Sequence, residues 1–536
     1  MRPWPVNAGV TRAIPATFLP ALELRQGVPA DLRTLVAVPV MLTSARSIAE
    51  QIETLEIHHL ASLEGDVHFA LLSDWADAPA ETQAADAALL ALASDGIARL
   101  NARYPAIAGG DRFLLLHRRR QWSRSEGVWV GWERKRGKLH ELNRLLRGAA
   151  NTSFITADGR APIVPPAVRF VITLDADTRL PRDTVRRLIG KLAHPLNQPR
   201  FDPASGCVVE GHGLLQPRIT PALAIGHEGS WYQRLFSSHS AIDPYAAAVS
   251  DVYQDLFGEG SYAGKGIYDV DAFEAALAGR VPLTGRAKMI DNLRRSLTAP
   301  AAIGALFTGW LLPLPAALSW TLFMVLVLAV PALIPLLESL LRWPPGIAAG
   351  AQLRVLGADF RLATARWGLV NMFLADQAWL MGDAIGRTLV RLAITHRNML
   401  QWVPAAQLAD AMVLDTRGFY RRMPGAVILA IIGIAVAVAG GEATWPLALA
   451  FGLLWLESPA LACRISTPPV LPQRLTLGAD DISTLRLIAR RTWPPMWPTR
   501  YFPDCTSKQN ALLAHTRCWH GAGNGAQLSA KHGQPT

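Results

Sequence analysis

The chain has 536 residues, half of them hydrophobic, and a formal net charge of +11. That is too apolar for a purely water-soluble protein, while its first half is too charged for a plain bundle of membrane helices. The basic residues cluster beside the apolar blocks, where Lys and Arg meet anionic lipid headgroups, so the excess points to a membrane surface and not to nucleic acid. Four cysteines (Cys207, Cys463, Cys505 and Cys518) show no pairing pattern, which excludes a disulfide framework and fits a reducing compartment.

Residues 1–29 form an N-terminal segment with several prolines and no continuous apolar core, unlike a signal peptide. Globular patterning then runs over 30–282. Thr34–Val40 predicts a buried strand and Ala45–Leu60 a helix. Val67–Leu72 predicts a second strand ending on Ser73 and Asp74, followed by an Ala/Leu-rich helix to about residue 103. Arg112–His117 predicts a third strand and Val168–Leu174 a fourth. Strands alternating with helices predict a mainly parallel sheet covered on both faces, an α/β Rossmann-like domain. Pro39, Asp74 and the pair Asp175/Asp177 all fall at strand carboxyl ends, the edge where open α/β sheets bind ligands.

Asp175 and Asp177 end the apolar run at i, i+2 spacing. Hard carboxylate oxygens suit Mg²⁺ or Mn²⁺, with phosphate and water completing the shell. The competing reading is a solvated turn in which Asp-Thr caps a following helix. Upstream, Gly131–Asn143 carries Arg134, Lys135, Arg136 and Lys138, with His140 as a further donor and Gly137 permitting close backbone approach. This suits an anionic diphosphate, or equally an amphipathic helix with a solvated basic face. Downstream, the glycine-rich run from Gly258 to Phe273, with Tyr262, Lys265 and Tyr268, reads as a substrate loop or a turn cluster.

The Asp175–Thr178 run after a strand, Gly131–Asn143 before it and Gly258–Phe273 after it together resemble the glycosyltransferase domain of bacterial cyclic β-1,2-glucan synthases. That family is similar to processive GT-A transferases such as cellulose synthase, and the resemblance extends from about Leu22 to Trp493. It implies a GT-A-like cytoplasmic domain followed by an α-helical transmembrane region. It also implies inverting transfer of glucose from UDP-glucose to a β-1,2-glucan. By this resemblance Asp74 contacts the uridine and Lys138 the donor phosphates. Asp175 and Asp177 take the metal and diphosphate, and Gly264, Lys265 and Gly266 approach the sugar or acceptor. The metal would stabilise the charge developing on the leaving UDP.

The family's acceptor machinery has no evident counterpart. Inverting transfer needs a base within reach of the acceptor hydroxyl, and the GT-A relatives follow it with a Gln-x-x-Arg-Trp motif. Here Pro282 runs directly into Leu283, and no such motif occurs in the chain. Asp255, Glu259, Asp269 and Asp271 remain, none recommended as the base. A deletion of the acceptor part after residue 282 is therefore expected, with the catalytic base unknown. Residues 494–536 form an irregular tail that fits disorder or a changed reading frame. A metal site at Cys505, His515, Cys518 and His520 would lack recognised zinc spacing.

The apolar blocks predict two transmembrane hairpins, 299–341 and 424–463. An interfacial amphipathic helix (283–298) precedes them, cytoplasmic or interfacial helices (342–423) separate them, and a cytoplasmic segment (464–493) follows. Within 342–423, Phe360–Arg391 either lies on the membrane or lines the bundle. Lys288, Arg294 and Arg295 precede the first hairpin and Arg342 and Arg354 follow it, whereas the turns near Pro315 and Gly441 carry no Lys or Arg. Positive charge inside then makes the transferase domain cytoplasmic on a multi-pass protein of the bacterial inner membrane. Two functions of different class follow: a membrane transferase impaired by its missing acceptor segment, with UDP-glucose, glucan and membrane lipid as partners, or a non-catalytic membrane protein that keeps a nucleotide-sugar-binding fold.

Overall fold

The computed structural model describes residues 19–62, 65–132, 134–156, 159, 162–202, 207–217, 230–236, 265–277, 283–341, 349–397, 415–441 and 443–467. Asp251, Asp255, Glu259, Tyr262, Gly264 and the tail after 493 lie outside them.

Strands β1 (Thr34–Leu42), β2 (Val67–Trp75) and β3 (Phe113–Arg118) alternate with helices α1 (Ala45–Leu60) and α2 (Asp86–Arg103). A two-stranded ribbon, β4 (Gln121–Ser123) and β5 (Val128–Val130), leads into α3 (Arg134–Leu146) and β6 (Phe154–Ile155). β7 (Phe170–Thr173) and α4 (Thr184–Leu192) follow, then a second small ribbon of β8 (Arg200–Asp202) and β9 (Cys207–Glu210), and β10 (Leu214–Leu215). In chain order α5 (Trp231–Phe236) comes next, and β11 (Gly266–Asp269) and α6 (Val270–Leu277) close the domain.

The main sheet has seven strands in the order β10-β11-β7-β1-β2-β3-β6. The four predicted strands form its parallel centre, with β1 between β7 and β2. β11 and β6 run antiparallel to that centre, and the edge strand β10 pairs antiparallel with β11. Strand alternation sorts the apolar residues onto two faces. Val36, Val38, Phe69 and Ile172 pack with Ile48 and Leu55 of α1, Ile97 of α2 and Leu188 and Ile189 of α4. Leu35, Ala70, Leu72 and Val171 pack with Leu139 and Leu142 of α3 and Val270 of α6. Both faces are covered, which is why these strands lack a polar side. Pairing of β1 with β7 stops at Ala37, so Pro39 lies beyond it, where a missing N–H is tolerated.

Beyond residue 282 the chain is helical: α7 (Leu283–Trp310), α8 (Leu314–Leu341), α9 (Ala349–Met372), α10 (Leu374–Val390), α11 (Thr416–Arg422), α12 (Pro424–Ala439), α13 (Trp445–Leu456) and α14 (Ser458–Ser466). Leu306, Trp310, Ala375, Ala378, Ala430, Ala437, Ala448 and Trp455 form its core; small residues let the backbones approach. The indole N–H of Trp310 reaches Thr321 Oγ1 at 3.2 Å, and that of Trp455 reaches the Asn371 carbonyl at 3.1 Å. Leu322, Leu326, Ile431 and Leu453 point outward and are exposed, the pattern of a surface that meets lipid.

Among the described residues two helices are long and apolar enough to cross a membrane, Leu314–Leu333 and Trp445–Ser466. A third span results if Thr416–Arg422 and Pro424–Ala439, bent by 65°, count as one. The predicted interfacial helix and first apolar block are not separate: both belong to α7, which continues through Pro300. Phe360–Arg391 belongs mainly to α9 and α10, and α10 packs on α7 and α12, so this segment lines the bundle.

Candidate functional site

Asp74 at the end of β2 and Asp175 just past β7 lie along the same carboxyl edge of the parallel sheet, because β2, β1 and β7 all run in one direction. Helix α3 crosses to both. Its Lys135 and Lys138 are three residues apart and therefore neighbours on the helix surface. Lys135 Nζ contacts Asp175 Oδ1, while Lys138 Nζ lies 2.9 Å from Asp74 Oδ2.

Lys138, expected at the donor phosphates, is buried and is already saturated. Its other donors reach the Val40 carbonyl at 2.9 Å and the Leu72 carbonyl at 3.1 Å, at the ends of β1 and β2. An ammonium has three N–H groups, so none is left over in this arrangement. Asp74 is likewise enclosed. Arg118, directly across from it in the β2–β3 register, grips both its oxygens at 2.7 and 3.0 Å. Arg118 also reaches the Trp132 carbonyl and, at 3.4 Å, Glu141 of α3. Glu141 in turn accepts from Thr152, at 3.0 Å, and from the Ser153 backbone and hydroxyl. Two acids thus compensate two bases in a buried cluster. Burial opposes ionisation of Asp74, but Lys138 and Arg118 outweigh it and hold its carboxyl below the usual range.

Asp175 is the open end of the edge. Besides Lys135 it meets Lys265 Nζ at 3.0 Å. Burial alone would raise its carboxyl, yet the two ammoniums hold it low. Lys265 arrives because it precedes β11, whose first residue, Gly266, pairs with Thr173 at the end of β7. Gly266 itself is strand and not loop: a Cβ there would lie 2.4 Å from the Leu215 carbonyl oxygen of β10. Asp177 is exposed and has no hydrogen bond or ion pair among the described residues. The backbone from Asp175 to Thr178 forms a tight turn, closed by Thr178 N to Asp175 O at 3.0 Å. It caps no helix, since α4 begins at Thr184.

No group of three or more His, Cys, Asp or Glu side chains suited to a metal occurs among the described residues. Asp175 and Asp177 alone still offer the donor chemistry of Mg²⁺, which takes one or two carboxylates and fills its shell with phosphate and water. Of the candidate bases, Asp255 and Glu259 lie outside the described residues, and Asp269 and Asp271 lie away from this edge. Antiparallel pairing sets Asp269 opposite Phe170, at the far end of β7 from Asp175, roughly 16 Å away along the chain direction. There Asp269 caps α6 through the Asp271 and Ala272 amides, and Asp271 faces Arg147. Sequence reasoning missed Arg118 and Glu141; the available signal was a base ending the strand next to the one that Asp74 ends.

No family model matches the chain. Over 91% of its length it is 40% identical to the cyclic β-(1,2)-glucan synthase NdvB of Rhizobium meliloti (strain 1021). The chain is a relative of the cyclic glucan synthases. This bears out the resemblance carried by Gly131–Asn143 and the two runs that follow it. The glucan-synthase relative described here spans 19% of the length of that protein. The match is 555 residues long, more than the 536 of the chain, so NdvB carries residues within this region that have no counterpart here.

Proposed function

We propose that this chain is a membrane-bound, GT-A-like glycosyltransferase domain that holds UDP-glucose at the carboxyl edge of its sheet and transfers glucose to a β-1,2-glucan poorly or not at all. The observation that carries the reading is the convergence of Lys135 and Lys265 on Asp175, beside the buried Asp74 cluster, in a chain related to a cyclic glucan synthase. A divalent Mg²⁺ or Mn²⁺ on Asp175 and Asp177 would supply charge neutralisation for the diphosphate. Asp175 and Asp177 would hold that metal, and Lys135 and Lys265, which contact Asp175, would be placed to pair with phosphate oxygens. Asp74, closed off by Lys138 and Arg118, supports the nucleoside end of the edge from beneath. The exposed apolar faces of α8, α12 and α13 seat the chain in the inner membrane, with the sheet domain cytoplasmic.

Loss of transfer rests on two supports. The described carboxylates of the Asp269–Asp271 segment lie at the opposite sheet edge, and the relative carries residues in this region that the chain lacks. The same observations favour, as a second reading, a non-catalytic membrane protein that retains the donor-binding fold. Incubating the detergent-solubilised chain with labelled UDP-glucose, Mn²⁺ and β-1,2-glucan primers tests this. Saturable donor binding with no lengthening of the primers is expected; efficient elongation would overturn the claim of impairment.

A further inference from the structure

The β4–β5 ribbon carries large apolar side chains that packing does not explain. Trp122 and Trp129 are directly paired across its two strands, with ring centroids 5.9 Å apart and an edge-to-face angle of 64°. Trp122 is 51% exposed, and Trp132, just beyond β5, is 44% exposed. Indoles are ordinarily well buried. A cross-strand pair would by itself serve to stabilise a short hairpin, but this hairpin is already fixed from beneath. Arg120 is buried and donates to the Ala76 and Glu81 carbonyls at 2.7 and 2.9 Å, pairs with Asp86 and lies over the Trp75 ring. The Trp129 backbone exchanges two hydrogen bonds with Ala78, at 2.9 and 3.0 Å.

The ribbon is also continuous with the donor edge. Gly131 lies against the Asp74 carboxylate, so close that a Cβ would come within 2.9 Å of it. Arg118, which grips Asp74, holds the Trp132 carbonyl at 3.1 Å. A rigid, outward-facing aromatic surface thus begins one residue from the candidate donor site.

We propose that Trp122 and Trp129 form a stacking platform for the glucopyranose rings of a neutral β-linked glucan. The proposal rests on the nucleotide-sugar reading of the adjacent edge. A pyranose presents an apolar C–H face inside a polar rim, which a flat indole matches, and a pre-fixed indole loses little conformational freedom on binding. The ribbon grows from β3 and runs directly to the donor edge, where Gly131 meets the Asp74 carboxylate. That placement favours a sugar chain over the lipid surface as the occupant.

The test titrates the full chain in detergent with β-1,2-linked gluco-oligosaccharides and, in parallel, with UDP-glucose, for wild type, Trp122→Ala and Trp122→Phe. The alanine variant is expected to bind oligosaccharide about tenfold more weakly. The phenylalanine variant recovers most of the affinity, and UDP-glucose binding is unchanged in both. Oligosaccharide affinity that is unaltered in Trp122→Ala overturns the platform, whether its thermal midpoint falls (a structural pair only) or its binding to anionic vesicles falls (a membrane contact). Wild type that binds no oligosaccharide overturns it too. Wild type that binds oligosaccharide but not UDP-glucose overturns the donor-site reading instead.

Discussion

At the scale of single residues, the candidate site divides into a sealed half and an open half. Asp74, Arg118, Lys138 and Glu141 are mutually compensated and closed to solvent. Removing one charge from such a group strands the others in a low-dielectric interior, which is far worse than never having had the pair. Asp74→Ala is therefore expected to destabilise the sheet domain by about 3–5 kcal/mol, a large share of the ~5–15 kcal/mol typical of a domain. Asp74→Asn, which keeps the shape, costs less. Chemical denaturation of the solubilised chain measures both, and equal stability of Asp74→Ala and wild type would contradict the clustered assignment. Asp74 and Asp175 were legible in the sequence because each ends an apolar run. The burial of Lys138 was not, since its partners come from strand ends 98 and 66 residues away, and a basic run looks the same whether it faces solvent or a carboxylate.

At the scale of elements, the parallel centre of the sheet was readable from continuous β-branched and aliphatic runs. Its antiparallel edges were not, because β6, β10 and β11 are short and take their register from neighbours. Helix α7 misled for a related reason: charges early in it and a proline at 300 read as a boundary, but the helix continues. Helix α1 and strand β3 carry a less visible property. His58 and His59 lie at the buried end of α1, and His117 lies on β3 against Ser73 and Trp75. Burial pushes all three imidazoles from an ordinary 6.5 down to about 4, so they are neutral in the folded state. An unfolded chain protonates them first as pH falls. Their stability contribution is full above pH 6.5 and is lost progressively between 6.5 and about 4, up to about 3 kcal/mol per histidine. The thermal midpoint is expected to drop across that window. His58→Leu is expected to flatten the drop, and an unchanged slope would contradict a buried neutral His58.

For the whole molecule, the short helix α5 packs against α9 and α14 of the helical region. Arg366 of α9 donates to the Leu235 carbonyl near the end of α5 at 2.8 and 2.6 Å. The hydropathy pattern made the membrane association visible, but not the number of spans, because apolar blocks of marginal length merge into longer, partly charged helices or bend. Relationship to the cyclic glucan synthases was legible in the basic run of α3, whose lysines the structure assigns to two different carboxylates. The central claim is that the carboxyl edge of the sheet holds a nucleotide sugar through Asp175 and Asp177. Calorimetric titration of the solubilised chain with UDP-glucose, with and without Mn²⁺, tests it most directly when run on wild type and on Asp175→Ala/Asp177→Ala. Metal-dependent binding by wild type that disappears in the double variant, with an unchanged thermal midpoint, is the expected result. UDP-glucose binding that survives the double substitution unchanged would contradict it.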